Sequence, residues 1–347
     1  MSHNVAIALS LLMFSFVVTS ILIVPFINFL YKLKFQKKDH QGNNSLGEKT
    51  PIFNKFHRQK VGVPIGGGIL MVAVVASLFV LTIPFLTHMG INVTSMHESK
   101  LVEITTILFT FITFALLGLL DDVKKFFPLQ GKIFGLRMRH KLCLEIILSL
   151  AISCLLFFGL GISILHIPFM GTIDLEWLYI PFATFVIIAF ANAVNITDGL
   201  DGLAGGSLMI SLFGLWLLSA SILDVPLAIF IALWLGSLLA FLYFNIYPAR
   251  LFMGDVGSLS FGATFAVIGL LLGKPIALGV IGFIFVLEIS SSLLQMLSKK
   301  FYHKKIIPAA PLHLTLQQLG WAEPKIVQRA WIIQIMLTIF GVWLAIL

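Results

Sequence analysis

Long stretches with at most one charged residue alternate along this chain with short segments that carry most of its charge. Each stretch approaches the length of about 20 residues with which an α-helix crosses a bilayer. None shows the sustained alternation of polar and apolar positions that is typical of a membrane β-strand. The pattern therefore predicts an all-α, polytopic membrane protein of about ten transmembrane helices. The predicted spans are about 5–31, 61–87, 104–120, 146–166, 177–194, 203–223, 225–247, 258–273, 275–298 and 330–347.

The amino-acid composition excludes an ordinary soluble domain. Hydrophobic residues make up 59% of the 347 residues, charged residues make up 11%, and the mean hydropathy is +1.03. A soluble protein cannot bury so large a share of apolar side chains. We expect the first stretch to be a spanning helix, because it is too long for a leader peptide and no Lys or Arg precedes it. No separate soluble domain is expected, so residues 1–347 form one integral-membrane domain.

The distribution of positive charge predicts the orientation. If the ten spans alternate, the loops at about 32–60, 121–141, 195–202, 248–257 and 299–329 share one side. These loops and their edges hold 21 of the 23 Lys and Arg residues, and only Lys100 and Lys274 lie opposite. The positive-inside rule makes that side cytoplasmic and places both termini outside. We attribute the net charge of +8 mainly to this topology signal and to contact with anionic lipid, and we expect no nucleic-acid partner.

Five aspartates lie where apolar stretches meet the predicted cytoplasmic loops. They are Asp121 and Asp122 in LLDDVKK, Asp198 and Asp201 in NAVNITDGLDGLAGG, and Asp255 in FMGDVGS. Carboxylates at a bilayer boundary are costly unless they have a function, and clustered carboxylates bind Mg²⁺. Adjacent helical residues point about 100° apart, so Asp121 and Asp122 cannot share one role. Which of the two acts as a base, if either does, stays open.

Several of these residues also have a structural interpretation. Asp198 or Asp255 could cap the helix that follows it. His313 lies in LHLTLQQLGW, a segment whose periodicity predicts a short amphipathic helix at the membrane interface. A lone histidine in such a place is more often structural than catalytic. These alternatives apply to each residue singly and do not explain why so many polar residues border the same predicted face.

Four segments, in order, resemble the polyprenyl-phosphate N-acetylaminosugar-1-phosphate transferase superfamily across nearly the whole chain. They are LLGLLDDVKK, NAVNITDGLDGLAGG, FNIYPARLFMGDVGSLSFG and APLHLTLQQLGWAEPKIVQRAWII. Within the superfamily they are most similar to members that transfer phospho-N-acetylmuramoyl-pentapeptide. The resemblance implies a Mg²⁺-dependent transfer from a UDP-sugar donor to undecaprenyl phosphate, with release of UMP, in a bacterial inner membrane. It also implies a homodimer as a possible assembly.

The resemblance carries site roles onto matching residues. Asp121 and Asp122 match an acidic pair that positions or deprotonates the lipid phosphate, and Asp255 matches a metal ligand. Together with His313 these are the expected catalytic residues, and Asp198 is expected to join Asp255 at the metal. Phe252 is a candidate for stacking on uracil. The expected substrate-binding residues are Lys60, Lys125, Lys141, Asn192, Asn195, Asp198, Asp201, Asn245, Phe252 and Gln295.

Two departures from the family pattern leave the sugar donor open. His313-Leu314-Thr315 stands where three histidines are usual, and Val63-Pro64-Ile65-Gly66-Gly67-Gly68 replaces a Thr-Pro-Thr-Met-Gly-Gly element. A hexosamine-1-phosphate transferase for another surface polymer is the alternative within the family. An ion-coupled transporter is the alternative outside it, but it should carry acids near the midplane and show repeat symmetry. Glu288 is the one acid inside a predicted span that fits this transporter, and a non-catalytic scaffold is a third possibility.

Overall fold

The computed structural model of the chain describes residues 2–37, 60–126 and 135–347. Within these ranges the regular secondary structure is almost wholly helical, as the apolar stretches predict. Twelve α-helices follow one another along the described chain. They are α1 (Ser2–Lys32), α2 (Gly67–His88), α3 (Lys100–Phe126), α4 (Met138–Cys154), α5 (Tyr179–Thr197), α6 (Leu203–Ser221), α7 (Val225–Asn245), α8 (Gly254–Leu271), α9 (Pro275–Ile281), α10 (Phe283–Tyr302), α11 (Leu312–Gln318) and α12 (Glu323–Ile346).

Nine of the described helices are long and apolar enough to cross a membrane on their own, namely α1 to α8 and α12. Helices α9 and α10 would form a tenth span as a pair, but they are bent by 83° where they meet. Gly282 lies at this break, and a Cβ there would lie 2.7 Å from the Phe190 ring and 2.8 Å from the Phe265 ring. The prediction of about ten spans is confirmed, whereas the prediction of one continuous helix over 275–298 was wrong.

The fourth predicted span was also wrong in its bounds. Helix α4 begins at Met138, continues through a π-helical turn at Leu155–Gly159 and ends before Gly161, whose φ of +65° takes the chain out of the helix. The chain then forms a β-hairpin from β1 (Ile164–Ile167) and β2 (Gly171–Asp174), which pair antiparallel. This hairpin was missed because its first strand continues the apolar run of the preceding helix.

Helices α7 and α8 form the centre of the bundle, and glycines bring their neighbours close to them. A Cβ at Gly236 on α7 would overlap the Leu12 carbonyl of α1, and one at Gly262 on α8 would overlap the Phe190 carbonyl of α5. Small residues at such crossings are how membrane helices approach each other without a hydrophobic driving force. The close packing fixes the helix ends relative to one another.

The approach of α3 to α8 positions the acidic residues. Gly118 on α3 lies against the first turn of α8, where a Cβ would overlap the Asp255 carbonyl. Asp121 and Asp122 follow Gly118 by one helical turn, so they come to lie beside Asp255. The packing of two apolar helices thus brings together carboxylates that are more than 130 residues apart in the sequence.

Candidate active site

Asp255 lies in the first turn of α8, at the point where four helices meet. Its Oδ2 atom lies 2.6 Å from Lys125 Nζ and 3.2 Å from Lys141 Nζ. Its Oδ1 atom accepts a hydrogen bond of 3.1 Å from the Asn195 amide, which also donates to Ser258 Oγ at 2.8 Å. One carboxylate therefore connects α3, α4 and α5 to α8, and it does so with side chains that were predicted to belong to the site.

The two adjacent aspartates of α3 point in different directions, as their helical spacing requires. Asp121 Oδ2 lies 3.1 Å from Lys125 Nζ and 3.3 Å from Lys141 Nζ, and its Oδ1 atom accepts a hydrogen bond from the Leu136 amide. Asp122 Oδ2 accepts a hydrogen bond from the Val256 amide in the first turn of α8. Asp121 therefore faces the two lysines, while Asp122 caps the amino end of the helix that carries Asp255.

Lys125 Nζ lies among three carboxylates, at 2.6 Å from Asp255, 3.1 Å from Asp121 and 4.0 Å from Asp122. Three hard oxygen ligands around one point, with an amide nearby, are the donor set that suits Mg²⁺. As the side chains stand, no three His, Cys, Asp or Glu residues in the described ranges are arranged to hold a metal ion. The type of donor, carboxylate oxygens gathered around Asp255, nevertheless fits Mg²⁺.

A second polar group surrounds Lys60. Its Nζ atom lies 2.6 Å from Asp201 Oδ1 and 2.6 Å from Glu323 Oε1. Glu323 also accepts a hydrogen bond of 2.6 Å from the Asp201 amide, and Asp201 Oδ2 accepts one of 2.9 Å from the Ala249 amide. Lys60 is 7% exposed, so this ion pair holds the start of the second span against the 198–202 loop.

Asn245 braces the same loop. Its side-chain oxygen accepts a hydrogen bond from the Gly202 amide at 3.1 Å, and its amide donates to the Leu251 carbonyl at 2.9 Å. Both partners are backbone atoms, and the side chain is 2% exposed. Asn245 was expected to bind substrate; the structure shows it connecting the loop after α5 to the segment before α8.

Phe252 lies beneath two lysines. Lys37 Nζ is 5.0 Å and Lys60 Nζ is 5.9 Å from the centroid of its ring, within the range of a cation–π contact. Backbone hydrogen bonds fix this arrangement, since Lys37 donates to Val63 and Phe252 donates to Pro64, each at 2.9 Å. The segment after α1, the segment before α2 and the segment before α8 are thereby joined side by side.

Burial governs the charges of this region. It lowers the pKa of Lys37 to about 8, with the positive charge of Lys60 as a second cause. Burial also raises the pKa of Asp198 to about 7, against the opposing effect of Lys37. Both groups therefore titrate close to neutral pH, and the charges of Lys37, Lys60 and Asp255 all act on Asp198.

His313 is directed into the site from α11. It is 2% exposed, its Nδ1 atom lies 3.0 Å from Glu288 Oε2, and its backbone amide donates to Glu288 as well. A Cβ at Gly199 would lie 2.5 Å from His313 Nε2, so the ring faces the residue that follows Asp198. Glu288, the one acid within a predicted span, is thus the partner of His313. Helix α11 is present as predicted, but the side chains of His313, Leu314 and Thr315 are buried rather than spread at an interface.

Gln295 and Asn192, two further expected substrate-binding residues, also have protein partners. The Gln295 side chain donates to the Ile307 carbonyl at 2.8 Å and accepts from the Ile306 amide at 3.0 Å, so it braces the segment before α11. The Asn192 amide donates to Glu145 Oε2 at 2.7 Å and to the Ile188 carbonyl at 3.0 Å. Their roles toward a substrate remain predictions.

Four residues of the site were missed in the sequence: Lys37, Glu145, Ser258 and Glu323. Glu145 and Ser258 follow predicted site residues by one helical turn, which is a usable signal. Glu323 lies in GWAEPK, a segment that the resemblance covers, and its acid could have been matched to Lys60. Lys37 lies in a charged loop among many lysines, and only the backbone pairing with residues 62–65 distinguishes it.

Fold and site together define a class, namely a polytopic helical membrane protein with carboxylates, lysines and a histidine gathered where its helices end. Residues 104–273 match the family described as glycosyl transferase family 4. The chain is 39% identical over 315 residues to the phospho-N-acetylmuramoyl-pentapeptide-transferase of Clostridium perfringens (strain SM101 / Type A), covering 90% of this chain and 89% of the relative.

Proteins with the same name in two other bacteria are also similar. The one from Caldanaerobacter subterraneus subsp. tengcongensis is 35% identical, over 89% of both chains, and the one from Bacillus licheniformis is 33% identical, over 94% of both. The chain belongs to this family of phospho-N-acetylmuramoyl-pentapeptide-transferases.

Proposed function

We propose that the protein transfers phospho-N-acetylmuramoyl-pentapeptide from its UDP-activated donor to undecaprenyl phosphate, which forms lipid I and releases UMP. Family membership supports the reaction type. The observation that carries the proposal is the convergence of Asp121, Asp122, Lys125 and Lys141 on Asp255 at one end of the bundle. A polar donor and a long lipid acceptor can meet only where a membrane site borders water, and this cluster lies at the ends of apolar helices.

In this reaction a phosphate oxygen of the lipid attacks the sugar-bearing phosphorus of the donor. The bond from that phosphorus to the bridging oxygen breaks, and the bridging oxygen leaves with UMP. Because both reactants are anions, neutralising charge and aligning them contribute most of the acceleration. Lys125 and Lys141 provide two cations that carboxylates hold in place at the reacting centre.

Mg²⁺ fits beside Asp255, with Asp121, Asp122 and Asp198 as further oxygen donors. When bound, it would neutralise charge on the donor diphosphate and on the departing UMP. The role of the acidic pair as a base is minor in this proposal. The second pKa of a phosphate monoester is about 6, so the lipid phosphate is mostly deprotonated at neutral pH. Asp121 and Asp122 therefore act mainly by positioning Lys125, Lys141 and the start of α8.

The Lys60 group is the proposed donor-binding region. Lys37 and Lys60 lie over Phe252 and supply positive charge to the UDP moiety, while Asp201 and Glu323 hold Lys60. Uracil can stack on Phe252 only if the lysine over that face of the ring, Lys37 or Lys60, moves aside. His313, held by Glu288, contacts the donor from α11.

One observation keeps a hexosamine donor as the second candidate. Leu314 is 5% exposed, and the Thr315 hydroxyl is engaged with the Ala309 backbone. Neither residue offers an ionisable group to the site, so His313 alone stands where family members usually have three histidines.

The proposal is tested by incubating purified protein in bilayers with undecaprenyl phosphate, Mg²⁺ and a panel of UDP-sugars, and by measuring UMP and lipid product. We expect release of UMP with UDP-N-acetylmuramoyl-pentapeptide. Release with UDP-N-acetylglucosamine alone would establish the hexosamine alternative. Flux of a solute across the bilayer without UMP release from any donor would contradict the transferase and favour a transporter.

The cytoplasmic position of the site, with both termini outside, remains part of the proposal and follows from the positive-inside rule. The same arrangement in a bacterial inner membrane would give the site access to soluble nucleotide sugars. Labelling of single cysteines placed in the loops from either side of sealed vesicles tests this orientation.

A further inference from the structure

Helices α4 and α5 lie side by side and carry a line of polar residues between them. On α4 these residues recur every four positions, which places them on one helix face. Three of the four are almost fully buried, with exposed fractions of 0 to 1%. The line consists of Lys141, Glu145, Ser149 and Ser153 on α4, and of Thr184, Asn192 and Asn195 on α5.

The line makes three contacts at increasing distance from the site. Nearest the site, Lys141 and Asn195 meet on the two oxygens of the Asp255 carboxylate. One helical turn further along each helix, the Asn192 amide donates to Glu145 Oε2 at 2.7 Å. Two turns beyond that, Thr184 and Ser153 share a hydrogen bond of 3.0 Å.

Glu145 is the costly member of this line. It is 1% exposed, and its Oε1 atom has no hydrogen-bond partner among the described residues. An acid buried in a membrane helix costs several kcal/mol unless it is paired, so its presence calls for a function. Glu145 is not within ion-pair distance of a lysine in the described ranges, and its one hydrogen-bond donor there is Asn192.

We propose that Glu145 and Asn192 are a positioning pair, which fixes the register of α4 against α5 and thereby holds Lys141 and Asn195 on Asp255. The pair lies four residues from Lys141 on one helix and three residues from Asn195 on the other, so each partner shares a face with a residue of the site. A shift of about 1 Å in a reacting centre can cost about a hundredfold in rate, which gives a remote hydrogen bond its effect.

The inference rests on the proposed function, and its test is the kinetics of UMP release by the purified protein. Glu145→Ala should lower kcat at least about tenfold while KM for the UDP-sugar changes less than about threefold, because alignment is lost and donor binding is not. Glu145→Gln should stay within about threefold of wild type, because its side-chain oxygen still accepts from Asn192.

A double variant separates positioning from substrate binding. Asn192→Asp puts two acids together without changing size, and should lower kcat at least about tenfold. Combining it with Glu145→Gln restores a hydrogen bond of opposite polarity, and should bring kcat back to within about threefold of wild type. An Asn192 side chain that itself contacts substrate would not be rescued by a change at Glu145.

Ser153→Ala is the matched control, since it removes a hydrogen bond between the same two helices far from the site. It should leave kcat within about twofold of wild type. The inference is overturned if Glu145→Ala keeps normal kcat, if the double variant stays as slow as Asn192→Asp, or if Ser153→Ala is equally slow.

An activity-independent measurement keeps the two proposals apart. In a cryo-EM structure of Glu145→Ala, the distance from Lys141 Nζ to Asp255 Oδ2 should exceed the 3.2 Å of the wild-type chain and pass the limit of an ion pair, at about 4 Å. An unchanged distance refutes the positioning role. Absence of UMP release by the wild-type protein with every donor refutes the proposed function instead, and leaves this distance to decide the inference.

Discussion

Lys125 and Asp255 are 130 residues apart in the sequence, yet the ammonium of one lies 2.6 Å from the carboxylate of the other. The contact exists because α3 and α8 cross closely at Gly118, so it is a product of helix packing and not of a local motif. It places a positive charge among the carboxylates of Asp121, Asp122 and Asp255. The proposed reaction joins two anions, and such a reaction needs charge compensation of this kind.

Removing the Asp255 carboxylate is expected to abolish transfer. Asp255→Asn keeps the size of the side chain but takes away the charge that holds Lys125, Lys141 and a divalent cation, so kcat should fall at least about a thousandfold. The change in kcat is measured as the rate of UMP release by the purified protein in the presence of Mg²⁺. Asp174→Asn, on the exposed β2 strand, is the control and should behave as wild type. An Asp255→Asn protein with wild-type turnover would remove this residue from the mechanism.

Replacing His313 is expected to cost at least about tenfold in kcat/KM, as for a general acid–base or charge-stabilising group. Glu288→Gln should cost less than His313→Ala, because the amide oxygen can still accept a hydrogen bond from Nδ1 and hold the ring in place. The control is His88→Gln at the exposed end of α2. Near-normal activity of His313→Ala would return this histidine to a structural role.

Lys37 should give the reaction an alkaline limit. Its pKa is lowered to about 8, so the ammonium is present below that pH and is lost as the pH rises through it. Since kcat/KM reports the free enzyme, kcat/KM for the anionic donor should fall above about pH 8. In Lys37→Gln, kcat/KM should be lower at pH 7 than in the wild type and should not fall further above about pH 8. Lys32→Gln, an exposed position at the end of α1, is the control; a fall that persists unchanged in Lys37→Gln would assign it to another group.

The glycines at helix crossings should be sensitive to size. Gly262→Val places a side chain where the Phe190 carbonyl of α5 lies, and overpacking of this kind costs about 1–3 kcal/mol. We expect a lower melting temperature of the protein in detergent. Gly279→Ala on α9 meets nothing within 4 Å and should melt as wild type does. Equal melting temperatures for Gly262→Val and Gly279→Ala would contradict the close approach of α5 to α8 at Gly262.

The spans could be predicted from the sequence because crossing a bilayer requires long apolar segments, and the acids stood out at their ends. The convergence of Asp121, Asp122 and Asp255 was predictable for the same reason, since each lies at the same predicted face. Asn195, Lys125 and Lys141 were found through the resemblance, and the structure places all three on Asp255.

Other features depend on tertiary contacts that leave no periodic signal. The break at Gly282 arises from two phenylalanine rings on neighbouring helices, and the β-hairpin continues the composition of the helix before it. Lys37 reaches Phe252 only because backbone pairing joins three loops. The partner of Asn192 is Glu145 on a neighbouring helix, one turn deeper on the face that Asn192 shares with Asn195, and nothing in the sequence indicates this pairing.

The bend between α9 and α10 has a consequence for the two ends of the chain. If the bent pair counts as one crossing, it adds to the nine other candidate spans of the described chain and makes the number of crossings even. An even tally obliges the first and last residues to emerge in the same compartment, whereas a pair that dips in and returns would leave them in opposite ones. Reporter fusions at the two ends, one active only in the periplasm and one only in the cytosol, read this parity directly.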